Sequence, residues 1–126
     1  MAQRTPHVTE TELAILDVLW QQGSAVIREI AARLYGEDYS TIQYTTVKSL
    51  LERLESKKYV VRDRSGFAHV FAAKVGRDAF IGQQLDAMAN RICGGSLAPL
   101  LMNLVERLPL TKRERDRLKN LIDEGG

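Results

Sequence analysis

The chain of 126 residues contains one cysteine, Cys93, and that scarcity removes two architectures at once. A single thiol closes no intramolecular disulfide, and without CxxC pairs or Cys/His clusters there is no zinc site to read. Folding must then rest on burial, which 44% hydrophobic residues can supply at this length. Cys93 ends an apolar stripe and reads as a buried structural thiol; the alternatives are a redox sensor, which would need an exposed, low-pKa thiolate, and a disulfide between two copies of the chain. Also missing is any apolar run near the roughly 20 residues of a membrane span. The N-terminus lacks the charged-then-apolar order of a secretion signal. These absences point to a cytoplasmic protein with no membrane partner. Neither histidine has an evident acid–base or nucleophilic companion, and Glu10, Glu12, Asp17 and Glu52 fall at caps or on solvated faces. No enzymatic activity, metal or cofactor is therefore expected.

Strong net charge is absent too, since 18 basic residues face 16 acidic ones. A balance of +2 does not by itself imply a polyanionic partner, but its distribution is uneven. Residues 1–40 carry Arg4, Arg28 and Arg33 against Glu10, Glu12, Asp17, Glu29, Glu37 and Asp38. Residues 41–75 reverse this, with Lys48, Arg53, Lys57, Lys58, Arg62, Arg64 and Lys74 against Glu52, Glu55 and Asp63. The basic patch is local.

Apolar periodicity organises the first half of the chain. Thr9 and Glu12 form a capping box ahead of Leu13, Leu16, Leu19 and Trp20, and this helix should end at Gly23. Ser24 is the expected cap of a second helix with Ile27, Ile30, Ala31 and Leu34 on one face, closed by Gly36. After a polar loop through Asp38 and Ser40, Val47, Leu50, Leu51 and Leu54 make a third inward stripe. Steps of about 100° per residue then turn Thr45, Lys48, Ser49 and Glu52 outward, with Thr46 and Arg53 on a flank. Hydroxyls and cations on one helix face suit phosphates and base edges; an ordinary solvated face is the alternative for this helix alone.

The next segment favours the first option. "YVVRDR" reads as a strand, "SG" as a turn, and "FAHVFAAKV" as a second strand alternating Phe67, His69 and Phe71 against Ala68, Val70 and Ala72. Three helices followed by a hairpin is the order of a winged helix-turn-helix. Arg62, Arg64 and His69 would ride on the wing toward the DNA backbone or minor groove, although local packing is the commoner role for such a histidine.

The sequences "TETELAILDVLW" and "YTTVKSLLERL", the basic hairpin and "GGSLAPLLMNLVERLPLTKRERDRLKNLI" together resemble the BlaI/MecI penicillinase-repressor family, from Thr9 nearly to the end of the chain. The resemblance implies a transcriptional repressor without enzymatic activity. Its winged N-terminal domain would bind an inverted-repeat operator in double-stranded DNA, and its C-terminal helices would join two copies into a homodimer. Candidate contacts on the third helix are Gln43, Tyr44, Thr45, Thr46, Lys48, Ser49 and Arg53, joined by Arg62, Arg64 and His69 in the wing. Three departures stand out. Lys58 lies where the family commonly has glycine after the recognition helix, so a different helix exit is expected. No Asn-Phe pair for a sensor protease occurs in "QQLDAMANRICGG", so induction by that cleavage is not implied. The clustered cysteines of copper-responsive relatives are missing as well.

The C-terminal third supports dimerisation by its own pattern. Phe80, Ile81, Leu85, Met88, Ala89 and Ile92 line one helix, broken by Gly94 and Gly95. A second carries Leu97, Leu100, Leu101, Leu104, Val105 and Leu108, with Pro99 in its first turn, and a third, capped by Thr111 and Glu114, carries Leu118, Leu121 and Ile122. So small a unit can hardly bury these residues alone, which favours an interface between copies over the alternative, a bundle folding back on the first domain. The expected fold is thus mainly α with a small β-hairpin. A winged helix-turn-helix domain over residues 1–75 would precede a helical dimerisation region over 76–126. The competing function is a winged-helix protein-interaction module without specific DNA binding, which the cations of the hairpin argue against.

Overall fold

A computed structural model describes residues 6–125 of the chain; the side chain of Ile122, one of the expected interface residues, lies outside the described residues. The backbone divides into two compact units, Pro6–Phe80 and, beyond it, Ile81–Gly126.

In the N-terminal unit, α1 (Glu10–Gln22), α2 (Ile27–Tyr35) and α3 (Thr41–Ser56) precede an antiparallel hairpin of β1 (Val60–Asp63) and β2 (Val70–Ala73). Helix α1 starts where Thr9 Oγ1 accepts the Glu12 N–H and Glu12 Oε1 accepts the Thr9 N–H. It stops at Gly23, whose φ of 91° lies in the left-handed region that glycine tolerates. Ile15, Leu16 and Leu19 of α1, Ile30 and Ala31 of α2, and Val47, Leu51 and Leu54 of α3 are almost wholly buried. They close over Tyr59, Val60 and Phe71 of the hairpin region, so one core ties the three helices to the wing. Truncating a residue such as Leu51 in this core would cost about 2–5 kcal/mol. Trp20 donates from Nε1 to the Val75 carbonyl at 2.9 Å and packs on Phe80, with ring centroids 5.2 Å apart.

One ion pair in this unit is internal. Glu12 is buried, and both of its carboxylate oxygens accept from Lys57 Nζ at 2.9 Å. Burial would raise the pKa of Glu12, but the bond from Lys57 and those from Thr9 outweigh it and hold the carboxyl below its ordinary value. The start of α1 is thereby fastened to the end of α3.

Several sequence expectations change here. Leu13 is 40% exposed, and Ile15 and Val18 take the inward positions instead. Ser24 does not cap α2: the cap lies two residues later, at Val26, whose N–H donates to Glu29 Oε1 at 3.0 Å. The displacement follows from Ala25, which exchanges two backbone bonds with Phe71, at 2.9 and 2.8 Å, and so extends the hairpin by a third short edge. The second strand is shorter than expected, because Phe67, Ala68 and His69 form the wing's loop and pairing starts at Val70 opposite Asp63. Phe80 packs between Trp20 and Tyr59 and is 6% exposed, so it belongs to this core and leaves the set expected at an interface. At the end of α3, Lys58 takes the left-handed conformation, φ 71°, that a glycine would occupy there.

The C-terminal unit is helical. Helix α4 (Arg77–Ile92) begins within the N-terminal unit and continues into this one; α5 (Ala98–Arg107) and α6 (Lys112–Gly125) follow and pack on each other. Gly94 and Gly95, both at positive φ, end the run of α4, and the Gly95 N–H reaches back to the Ala89 carbonyl at 2.9 Å. Pro99 lies in the first turn of α5. Thr111 and Glu114 bond reciprocally at the start of α6, and those bonds, first the one from the Thr111 backbone, hold the Glu114 pKa below its ordinary value. Cys93 is half-buried, less enclosed than expected of a core thiol. Ile81, Leu85, Met88 and Ile92 on α4, Leu97, Leu104 and Leu108 at α5, and Leu121 on α6 stay exposed, whereas Leu100, Leu101 and Leu118 are half-buried. No helix among the described residues is long and apolar enough to cross a membrane.

Candidate nucleic-acid interface

The outward face of α3 is set by its inward one. With Val47, Leu51 and Leu54 at 0% exposure, Thr45, Thr46, Lys48, Ser49, Glu52 and Arg53 all stand in solvent. The helix begins at a capping box, at a position where the sequence suggests only a polar loop. Ser40 Oγ accepts the Gln43 N–H at 3.1 Å, and Gln43 Oε1 accepts the Ser40 N–H at 2.9 Å. Gln43 therefore has its amide oxygen engaged in the cap and is half-buried, in contrast to its exposed neighbours. Tyr44 stacks on Tyr39 with centroids 6.3 Å apart. The hydroxyls of Thr45 and Thr46 donate to the carbonyls of Thr41 and Ile42 at 3.0 and 2.9 Å. With its proton so engaged, each hydroxyl has only lone pairs left to offer, chemistry that matches a base amino group better than a phosphate.

The wing is fastened to α3 by Arg62, which differs from the exposed cation expected. Its side chain is 11% exposed; it pairs with Glu55 Oε1 at 3.1 Å, meets His69 Nδ1 at 3.3 Å and lies 4.8 Å from the centroid of Phe71. Those partners orient the hairpin. Arg64 is the projecting wing cation, with a side chain 64% exposed and only a long 3.9 Å approach to Glu55. Asp63, the carboxylate next to it, is turned into the hairpin loop, where its Oδ1 accepts the hydroxyl and N–H of Ser65 at 2.7 and 2.9 Å. These bonds, the hydroxyl's first, hold the Asp63 pKa below its ordinary value and brace the turn.

Between the outward face of α3 and the hairpin runs an open groove of about 610 Å³. Val26, Ile27 and Arg28 from the start of α2, Tyr39, Tyr44, Lys48 and Glu52 beside or on α3, and Arg62, Phe67, Ala68 and His69 of the hairpin line it. The structure thus brings Tyr44, Lys48, Arg62 and His69 to one channel, while Thr45, Thr46, Ser49 and Arg53 lie along the helix outside its lining. Two residues outside the expected contacts join this lining: Arg28, which lies in the acidic first 40 residues, and Phe67, whose alternation with Ala68 suggests a strand. An aromatic residue immediately after "SG" was the available signal for Phe67. No group of three or more His, Cys, Asp or Glu residues among those described could hold a metal ion.

Three packed helices, the third with a polar outward face, followed by an antiparallel hairpin define a winged helix-turn-helix protein. Its relatives share nearly the whole length. The family described as penicillinase repressor matches residues 8–124. The transcriptional regulator BlaI of Mycobacterium tuberculosis is 32% identical over 126 residues, covering 98% of this chain and 88% of that protein. A penicillinase repressor of Bacillus licheniformis is 23% identical over 122 residues, 97% of this chain and 94% of that one. A penicillinase repressor of Staphylococcus aureus is 19% identical over 124 residues, 98% and 97% of the two chains. The chain belongs to the penicillinase repressor family of transcriptional repressors.

Proposed function

We propose that the protein represses transcription as a homodimer that occupies an inverted-repeat operator, one N-terminal unit on each half-site. The observation that carries this reading is the outward face of α3, where Thr45, Lys48, Ser49 and Arg53 stand exposed beside a braced basic hairpin. Apart from the bond of the Thr45 hydroxyl within the helix, the core makes no use of these side chains, whereas a DNA major groove would: lysine and arginine for phosphates or guanine edges, hydroxyls for close approach. Arg64 is the wing's backbone contact, and Arg28 and Lys48 line the channel beside it. A single recognition helix covers only a few base pairs, so selectivity requires two, about 10 base pairs or a multiple of that apart. The exposed apolar faces of α4 and α5 favour a second copy of the chain as the source of the other helix.

The test is selection of duplexes from a random pool by the full chain, with sedimentation of the free and bound protein. Enrichment of an inverted repeat bound by two chains is the expected result. Failure to enrich any sequence would overturn the reading and favour a protein partner; enrichment of an asymmetric site bound by one chain would overturn its dimeric part.

A further inference from the structure

We infer that Phe67, at the tip of the wing, is an apolar wedge that enters the minor groove beside each operator half-site and unstacks one base step there. This rests on the DNA-binding reading above and adds to it a specificity-determining residue. Phe67 is 111% exposed, more than any other large apolar residue described. The fold makes no use of the ring: the core closes on Phe71 four positions later, and neither strand includes Phe67. The turn beneath it is organised by the two bonds from Ser65 to Asp63, so the ring is presented from a defined support. A fully exposed phenylalanine on a braced turn is a feature that water alone penalises.

Charge identifies the occupant. Phe67 shares its groove with Arg28, Lys48 and Arg62 against the single carboxylate of Glu52, and the exposed Arg64 precedes it by three residues. An apolar partner surface would desolvate those cations without pairing them. DNA meets both demands, since phosphates line a minor groove whose floor is the edge of an apolar stack. That groove, about 6 Å wide, admits a side chain but no helix, which suits a tip residue. Pyrimidine–purine steps part most readily, so the wedge should favour such a step at a position that α3 does not touch.

The probe is a duplex of about three helical turns, selected by the full chain and carrying 2-aminopurine at successive positions flanking the half-sites. Binding of the parent should raise fluorescence at one step per half-site. Phe67→Ala should abolish that rise and weaken binding about ten-fold, with an unchanged dependence on salt because no phosphate contact is lost. Phe67→Leu, still apolar, should retain the rise. Both variants should melt at the parental temperature, since the ring supports nothing in the fold. Weaker binding of Phe67→Ala without any fluorescence rise in the parent would overturn the unstacking, and parental affinity in Phe67→Ala would overturn the wedge, with operator binding intact in both cases. If the parent selects no duplex at all, the underlying DNA-binding reading fails.

Discussion

Fifteen apolar residues between Ile15 and Phe80 are buried, whereas beyond that point only Ala89 and Val105 are buried among the described residues. The C-terminal unit also leaves eight large apolar side chains exposed, from Ile81 to Leu121. Both units have well-signalled helices, so helix formation does not separate them. What separates them is whether the apolar stripes find partners within the unit. Three helices and a hairpin enclose Leu51 and Phe71 from several directions; two packed helices and the run of α4 cannot enclose stripes that lie on more than one face. The N-terminal unit is a finished core with a polar working face. The C-terminal unit has its apolar faces in the open, which is how half of an interface between copies would look.

The strongest attack on this contrast places charge on the open faces. Leu104 and Leu108 are 46% and 45% exposed, so Leu104→Asp with Leu108→Asp should leave the folding of each unit largely untouched. In a dimer the same carboxylates would be buried without partners, costing about 3 kcal/mol or more and weakening operator binding roughly 100-fold. Sedimentation should report a monomer, circular dichroism a parental helix content, and titration with the selected duplex the lost affinity. A monomer that binds with parental affinity would show that the open faces do not serve DNA recognition.

The closed unit has a different weak point, the buried carboxylate of Glu12. Lys57→Met removes its cation while keeping most of the stem, leaving a charge in the core at a cost of about 3 kcal/mol at neutral pH. The pH dependence follows from the sign of the shift. Because the folded protein holds the Glu12 pKa below its ordinary value, this group stabilises the parent above the unfolded-state range, and the contribution is lost as pH falls through the folded value. Without Lys57, burial opposes ionisation with less to offset it. The stability difference between parent and variant should therefore be largest near neutrality and shrink on acidification, as read from urea unfolding at a series of pH values. A difference independent of pH would mean that Lys57 acts through its packing or its bond to the His7 carbonyl instead.

The working face itself should respond to salt rather than to pH. Lys48→Ala and Arg64→Ala each remove one proposed phosphate contact per subunit. In a two-fold complex each should reduce the slope of log affinity against log salt by about 1.8, from about 0.9 per phosphate. Loss for operator and random DNA alike identifies a backbone contact; loss confined to the operator makes the residue a reader of sequence. Substitution at either position should leave the melting temperature near the parental one, because both side chains stand in solvent.

What was legible in the sequence follows the same division between local and distant partners. The Thr9–Glu12 box, the stripe of Val47, Leu50, Leu51 and Leu54, and the Thr111–Glu114 start of α6 depend on residues three or four positions apart, and the spacing itself displays them. Ser24 looked like a cap because nothing nearby reveals that Ala25 pairs with Phe71, 46 residues away in the chain. Arg62 looked like a free wing cation because Glu55 lies on a different element, and only the folded hairpin brings them to 3.1 Å. The outward face of α3 was visible because the inward one is so regular, whereas the groove beside it needed Arg28 and Phe67 to be brought together by the fold.

The smallest effect concerns how the helices end. Gly23, Gly36, Gly94 and Gly95 have positive φ, as helix exits commonly require, but α3 exits through Lys58 at φ 71°, the one such non-glycine residue among those described. The turn is needed: the Lys58 N–H bonds the Glu55 carbonyl at 3.1 Å and the Tyr59 N–H bonds the Leu54 carbonyl at 3.0 Å, which delivers Tyr59 into the core. A side chain in that conformation costs about 1 kcal/mol, so Lys58→Gly should relieve it, partly offset by the greater freedom of glycine in the unfolded chain. A net gain of about 0.5 kcal/mol is expected, a rise in melting temperature of a few degrees for a unit of this size. Because the substitution also deletes a charge, Lys58→Ala is the control: it removes the ammonium group but keeps the strained backbone. Lys58→Gly should exceed Lys58→Ala in stability while the two bind operator equally. Equal melting temperatures for the two variants would show that the turn imposes no strain on a side chain, and that the lysine is accommodated there as readily as a glycine.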